Sequence, residues 1–211
     1  MKRYILLLAL LPLIAVNAFS QNEKSLYLGL YASPNVMWLH SNNNSVEPTQ
    51  SKLGFSYGLM ADITLGDYYA LATGLEIAQL GGKMNWTDTN GTTPTPMMAN
   101  YSLKYLEIPL ALKMQTAKIN DMSFYGRFGG GLGVRLDAKA DINANLNQTV
   151  TSDVQLLRAF FSIGGGIEYT IAYNTRLFAG IIYKSGLTNT FKQDDWSVKA
   201  NALSLNVGVI F

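Results

Sequence analysis

The side chains best placed to do chemistry together in this chain are four acids, Asp62, Glu76, Glu107 and Glu168, and four bases, Lys113, Arg127, Arg135 and Arg158. They come from five separate stretches, and each sits on the small or polar parity of a segment whose other parity is apolar. Successive side chains of a strand point to opposite faces, so all eight are expected to share one interior. Matched acids and bases can neutralise one another as a salt-bridge plug, or line a narrow polar path for ions, protons or small solutes. Charge in a closed interior is costly unless paired, and a small barrel has room for little beyond side chains. The plug is therefore the expectation, with a narrow channel as its alternative. On that reading Arg127→Ala destabilises the fold by leaving acids unpaired.

Other chemistry finds less support. The chain has one histidine, His40, and no cysteine. His40 beside Ser41 offers a general base next to a hydroxyl, as an enzyme modifying lipid at a barrel rim would need. Adjacent residues do not make a dyad, and no orienting carboxylate is close in sequence, so His40 is read as a loop residue and the chain as non-enzymatic. One histidine and dispersed acids give no metal site, and no cofactor is implied. Asp194-Asp195 beside Trp196 is read as solvated loop rather than a Ca²⁺ or partner site. Gly129-Gly130-Gly131 and Gly164-Gly165-Gly166 are not phosphate loops, since neither opens a helix or precedes a lysine-serine pair. Asn43, Asn85, Asn90, Asn100 and Asn147 begin Asn-x-Ser/Thr matches that Asn- and Thr-rich loops generate by chance.

The elements that must position the charges are strands. Over 122–137, Phe124, Phe128, Leu132, Val134 and Leu136 share one parity, and Tyr125, Arg127, Gly129, Gly131, Gly133, Arg135 and Asp137 the other. Over 105–114, Leu106, Ile108, Leu110, Leu112 and Met114 are expected to face lipid, and Tyr105, Glu107, Ala111 and Lys113 the lumen. Over 158–171, Phe161, Ile163, Ile167 and Ile171 face out, and Arg158, Ser162 and Glu168 face in. Eight such strands are expected at 26–37, 52–66, 68–84, 101–116, 122–138, 155–172, 175–187 and 200–211. The seventh is apolar on both parities, and its faces stay unassigned. Short turns at 66–67, 117–121 and 173–174 alternate with long polar loops at 38–51, 85–100, 139–154 and 188–199. That is the pattern of an outer-membrane barrel, with short periplasmic turns and longer outside loops. The 85–100 loop is expected to be turn-forming, with no apolar face to bury. Lys104 has outward parity near a strand end, where a long side chain can snorkel. Tyr68, Tyr69, Tyr101, Tyr169, Tyr173 and Trp38 are read as interfacial belts.

Composition bounds the rest. Residues 1–20 read as a cleaved signal peptide: Lys2 and Arg3, an apolar run over 4–16, then a small-residue processing site after Ser20 or Ala18. That run is too short for a spanning helix, which takes roughly 20 residues. The barrel domain is then 21–211, exported through the inner membrane. Removing Lys2 and Arg3 leaves fourteen basic residues against fourteen acids, which argues against a nucleic-acid partner. The absence of cysteine excludes a disulfide scaffold and a cysteine-anchored lipid. A soluble secreted barrel is the structural alternative. Against it stand glycines crowded on the polar parity, strands longer than the usual soluble 5–6 residues, and charged residues at only 14 %. The fold class is an all-β, eight-stranded antiparallel transmembrane barrel with up-and-down connections.

Residues 105–113 read YLEIPLALK, and a glycine-rich strand follows from Tyr125, YGRFGGGLGVRLDAKA. Pro109 cannot donate a ladder hydrogen bond and is expected to mark a bulge or bend. Together these segments resemble the PorT-like outer-membrane β-barrel family of Bacteroidetes, the LEIPL-type strand being the specific part. The resemblance implies an eight-stranded outer-membrane barrel. The family's founding member is tied to secretion across the outer membrane, and no catalytic residues come with it. Phe211, closing a strand with Leu203, Leu205, Val207 and Val209 on its parity, resembles the signal read by the barrel-assembly machinery. Expected partners are outer-membrane lipid, that machinery during biogenesis, and proteins at the outside loops or periplasmic turns. The function expected is structural or interaction-type: surface binding, envelope support or an accessory to protein export. A narrow channel and a lipid-modifying rim enzyme are the alternatives.

Overall fold

The computed structural model describes residues 26–41, 46–88, 95–143, 145–193 and 197–211. The strands are β1 (Leu26–Ser41), β2 (Val46–Gln50), β3 (Lys52–Gly66), β4 (Tyr69–Asp88), β5 (Thr95–Gln115), β6 (Met122–Ile142), β7 (Asn145–Thr149), β8 (Leu157–Ala172), β9 (Thr175–Gly186) and β10 (Val198–Ile210). Eight of them pair antiparallel in the cyclic order β1–β3–β4–β5–β6–β8–β9–β10, and β10 returns to β1. The ring is sealed by Phe211, whose N–H donates to the Leu28 carbonyl at 2.8 Å and whose carbonyl accepts from the Leu28 N–H at 3.2 Å. β2 and β7 are short additions on β4 and β6.

The wall is inverted relative to a water-soluble barrel. Outward side chains such as Leu59, Leu110, Phe128, Leu132, Ile163, Ile181 and Leu205 are about half exposed around the whole ring. An apolar belt of this extent suits a hydrocarbon surround. Tight turns close one end. At β5–β6, Asn120 (φ 50°) and Asp121 (φ 65°) are successive left-handed residues between Ile119 and Met122, which exchange bonds of 2.8 and 3.0 Å. That is a type I′ hairpin turn, which asparagine and aspartate tolerate.

The opposite end is where the sequence reading needs correction. The 85–100 stretch is mostly ladder: β4 and β5 stay paired out to Asp88↔Thr95. β6 continues to Ile142 and carries β7, and β1 continues to Ser41 against Val198. These residues have polar, turn-forming sequences, but their inward positions do bury apolar groups. Met37, Leu39, Val46, Leu80, Met84, Ala99, Tyr101 and Leu103 pack with Val150, Val154, Phe191 and Val198 into one core inside the barrel mouth. Tyr101, expected in an interfacial belt, is buried there with its ring 4.7 Å from that of Phe191. Loop segments 150–156 and 187–193 fold over this core. The Gln155 N–H donates to the Thr190 carbonyl at 2.9 Å, and the Lys192 N–H to the Asp153 carbonyl at 2.8 Å.

The bulge also lies elsewhere than expected. Pro109 keeps register with Gly131, and its carbonyl accepts from Thr73 Oγ1 at 2.9 Å. β4 and β5 hold the same register on both sides of it, from Thr73↔Leu110 to Glu76↔Glu107. The missing N–H interrupts the ladder without adding a residue. The β5–β6 register instead shifts between Lys104 and Tyr105, opposite Arg135 to Asp137. An extra residue reverses the facing of everything beyond it. Asp137, assigned inward by parity, therefore lies outside beside Lys139, and Ala138 and Ala140 turn into the core.

Candidate functional site: the buried charge network of the lumen

Below the apolar core, the inward positions of the wall carry charge. Glu107 on β5 is fully buried. Its Oε1 accepts from Arg158 of β8, and its Oε2 accepts from Lys184 Nζ of β9 at 2.8 Å. Lys184 also reaches Glu76 Oε2 on β4 at 2.7 Å, and the Tyr31 hydroxyl donates to that same oxygen at 2.7 Å. Arg158 spends its second nitrogen on the Ala200 carbonyl at 3.0 Å. Both cations flank the Phe160 ring, at 5.0 and 5.1 Å from its centroid. This upper cluster holds two acids and two bases.

A lower cluster repeats the balance nearer the tight turns. Lys113 of β5 pairs with Asp62 of β3 and lies 2.5 Å from Glu168 Oε1 of β8. Glu168 Oε2 accepts from Arg176 of β9 at 2.6 Å, and the Arg176 guanidinium stacks 4.4 Å over Tyr27. Between the clusters the lumen keeps a void of only about 30 Å³. A vestibule of about 190 Å³ opens at the turn end, lined by Tyr27, Asp67, Tyr69 and Arg176, and reaches inward as far as Asp62.

Of the eight charged residues singled out, the structure brings Asp62, Glu76, Glu107, Glu168, Lys113 and Arg158 into this network. Arg127 and Arg135 do something else. Arg127 lines the small void, and its Nε has no hydrogen-bond partner among the described residues. Truncating it therefore strands no acid, contrary to the sequence expectation. Arg135 donates to the Val154 carbonyl, and its own N–H donates to the Leu156 carbonyl at 2.8 Å. With the Tyr105 hydroxyl on the Gln155 carbonyl at 3.2 Å, it ties segment 154–156 across the mouth. The two places are taken by Lys184 and Arg176 of β9, the strand whose faces parity left open. Its inward row is Arg176, Phe178, Gly180, Ile182 and Lys184, apolar except at the ends. Two charges on one parity were the available signal.

Glycine makes room for the large lumen side chains. A Cβ on Gly180 would stand 2.2 Å from the Tyr125 hydroxyl oxygen, and one on Gly131 2.5 Å from the Phe160 ring. The Tyr125 hydroxyl is buried without a hydrogen-bond partner among the described residues. Tyr125→Phe is thus expected to be neutral or stabilising. Gly180→Ala should cost about 1–3 kcal/mol by overpacking, and adding Tyr125→Phe should recover part of that loss. Urea titration of the four proteins measures the coupling; strictly additive losses would contradict the close approach.

His40 lies in β1 opposite Lys199 with its side chain exposed, a strand residue rather than a loop one. Trp38 stacks on Tyr183 at 6.1 Å, and Tyr68, Tyr69, Tyr169 and Tyr173 are exposed near the tight turns. The signal segment 1–20, Asn43, Asn90 and Asp194–Trp196 lie outside the described residues.

A family model described as outer membrane protein beta-barrel domain matches residues 19–192. Among solved structures, Neisserial surface protein A superposes with a TM-score of 0.50 at 15% identity, covering 90% of this chain and 99% of that one. OprG from Pseudomonas aeruginosa gives 0.46 at 11% identity, covering 88% and 93%. Ail of Yersinia pestis gives 0.41 at 13% identity, covering 88% and 98%. No curated protein matches the sequence. With the family match spanning most of its length and the closed eight-stranded wall in place, the chain belongs to the outer membrane protein β-barrel domain family and resides in the outer membrane.

Proposed function

We propose that this barrel is a non-enzymatic structural and interaction protein whose lumen is permanently plugged and whose outer end does the binding. The observation that carries the reading is the double seal: two charge-neutral clusters in the lower lumen and an apolar core under folded loops in the upper one. An open path for ions would have to break buried ion pairs and then cross a packed apolar layer, both expensive. That weighs against the channel alternative. The rim-enzyme alternative rests on His40, for which no orienting carboxylate is found among the described residues.

Within this reading the chain is a PorT-like barrel of Bacteroidetes, delivered by the signal peptide at 1–20. Phe211 is its mark for the assembly machinery, and the aromatic's place at the closing seam supports that role. Its tasks are surface binding, envelope support or an accessory part in protein export, through the outside loops or the periplasmic turns. A deletion strain and its complemented parent test this. Equal uptake of small hydrophilic solutes by the two is expected, and slower uptake without the barrel would favour the channel. Proteomics of the surface and secreted fractions then separates the tasks. Loss of many cargo proteins would assign the barrel to export; an unchanged profile would assign it to binding by the outside loops.

A further inference from the structure

The outer wall changes character abruptly where the bulge occurs. On the outward face of β5 the row Leu112, Leu110, Ile108, Leu106 is wholly apolar, and the next outward position is Lys104. From there the outward positions nearest the bulge on three strands are polar, with Met98 the next apolar one on β5. Gln79 lies opposite Lys104, and Lys83 opposite Asn100, on β4–β5. Asp137 lies opposite Lys104, and Lys139 opposite Ser102, on β5–β6. Lys52 of β3 reaches the same region, with Nζ 3.4 Å from the Tyr101 carbonyl. A depression of about 340 Å³ opens here, lined by Lys52, Lys104, Lys139, Asn100 and Ser102, with Asp137 and Asp141 also in its wall.

The register shift is what builds this patch. Without the extra residue in β6, Lys139 would have pointed into the lumen; with it, Lys139 stands outside next to Lys104. Bulges recur where a side chain has to be re-aimed. Among the described residues Lys139 is held only by Asp137 at 3.8 Å, both substantially exposed, and Lys104 is in no ion pair. Such a pair is weak and easily exchanged for a stronger anion. Counting Lys83, four lysines face two carboxylates.

We propose that this depression binds the phosphate-bearing sugar headgroup of an outer-leaflet glycolipid. The lysines take the phosphate, the Asn100 amide and Ser102 hydroxyl meet sugar hydroxyls, and the acyl chains lie down the Leu106–Leu112 row. The site sits one residue pair above the lipid belt, at the depth of the headgroups on the long-loop side. Lysines that merely snorkel would attract anionic lipid without depending on this particular pair.

The test reconstitutes the full-length barrel in nanodiscs of phosphatidylcholine carrying a trace of bisphosphorylated lipid A or its dephosphorylated counterpart. Lipid retained after detergent release is counted by native mass spectrometry. The wild type should retain the phosphorylated lipid about tenfold or more over the dephosphorylated one. The double variant Lys104→Gln/Lys139→Gln should lose that preference, Lys118→Gln in the turn at the other end should keep it, and Asp137→Asn should strengthen it. Equal retention of the two lipids by the wild type, an unchanged preference in the double variant, or a weaker one in Asp137→Asn would overturn the proposal. Displacement by equimolar inorganic phosphate would overturn the lipid as its source.

Discussion

Glu107→Ala should destabilise the barrel by about 3–5 kcal/mol, the cost of leaving buried charges without their counter-ion. Glu107 is fully buried and holds Arg158 on one oxygen and Lys184 on the other. Its removal strands two cations at once, and only Lys184 retains a second carboxylate, that of Glu76. Glu107→Gln keeps acceptor and shape but loses the charge, so its loss should be smaller. Arg127→Ala provides the contrast. Arg127 meets no carboxylate within 4 Å among the described residues, so its truncation should cost much less than Glu107→Ala despite removing a lumen charge. Urea-induced unfolding in lipid vesicles, followed by tryptophan fluorescence, ranks the three. Equal losses for Glu107→Ala and Arg127→Ala would contradict the pairing described.

Leu103→Ala is expected to cost about 2–5 kcal/mol, the range for a buried leucine that leaves a cavity. Leu103 is inaccessible in the upper core with Leu80, Met84, Tyr101 and Phe191. Neither water nor lipid can refill the space without rearranging that packing. Leu110→Ala, on the same strand but facing outward at 55 % exposure, should cost clearly less, because lipid chains conform to the altered wall. A similar loss for both would mean that the barrel mouth is not packed as a core. The same urea titration reads the difference.

How far the sequence foretold this structure depended on what kind of signal each residue sent. β5 was legible from Tyr105 to Met114, because Leu106 to Met114 and Tyr105 to Lys113 separate cleanly by parity. Glu107, Lys113, Arg158 and Glu168 were legible as inward for the same reason. β9 was not. Phe178 and Ile182 pack inside the lumen while Leu177 and Ile181 face lipid, so burial in protein and burial in membrane select the same residue types. Lys184 and Arg176 were hidden by that ambiguity.

The bulge left no mark either. Nothing in Arg135-Leu136-Asp137 announces an extra residue, and parity simply runs on through it. Asp137 was consequently assigned to a face it does not occupy, and Lys139 was read as the start of a loop rather than a strand residue. The long polar stretch at 85–100 misled for a different reason. Its composition is polar and turn-forming, and Met84, Trp86 and Ala99 supply inward apolar groups too sparsely spaced to register as a strand. Pro109 lost a ladder bond without a bulge, since a missing donor interrupts pairing but does not by itself add a residue.

The seal of the lumen is the central claim, and single-molecule conductance tests it most directly. The wild-type barrel inserted into planar bilayers in 1 M KCl should remain silent, and Glu107→Ala should produce intermittent openings as the upper cluster loosens. Steady conductance from the wild type, carried through a lumen that two ion-pair clusters and an apolar cap are said to close, would contradict the account.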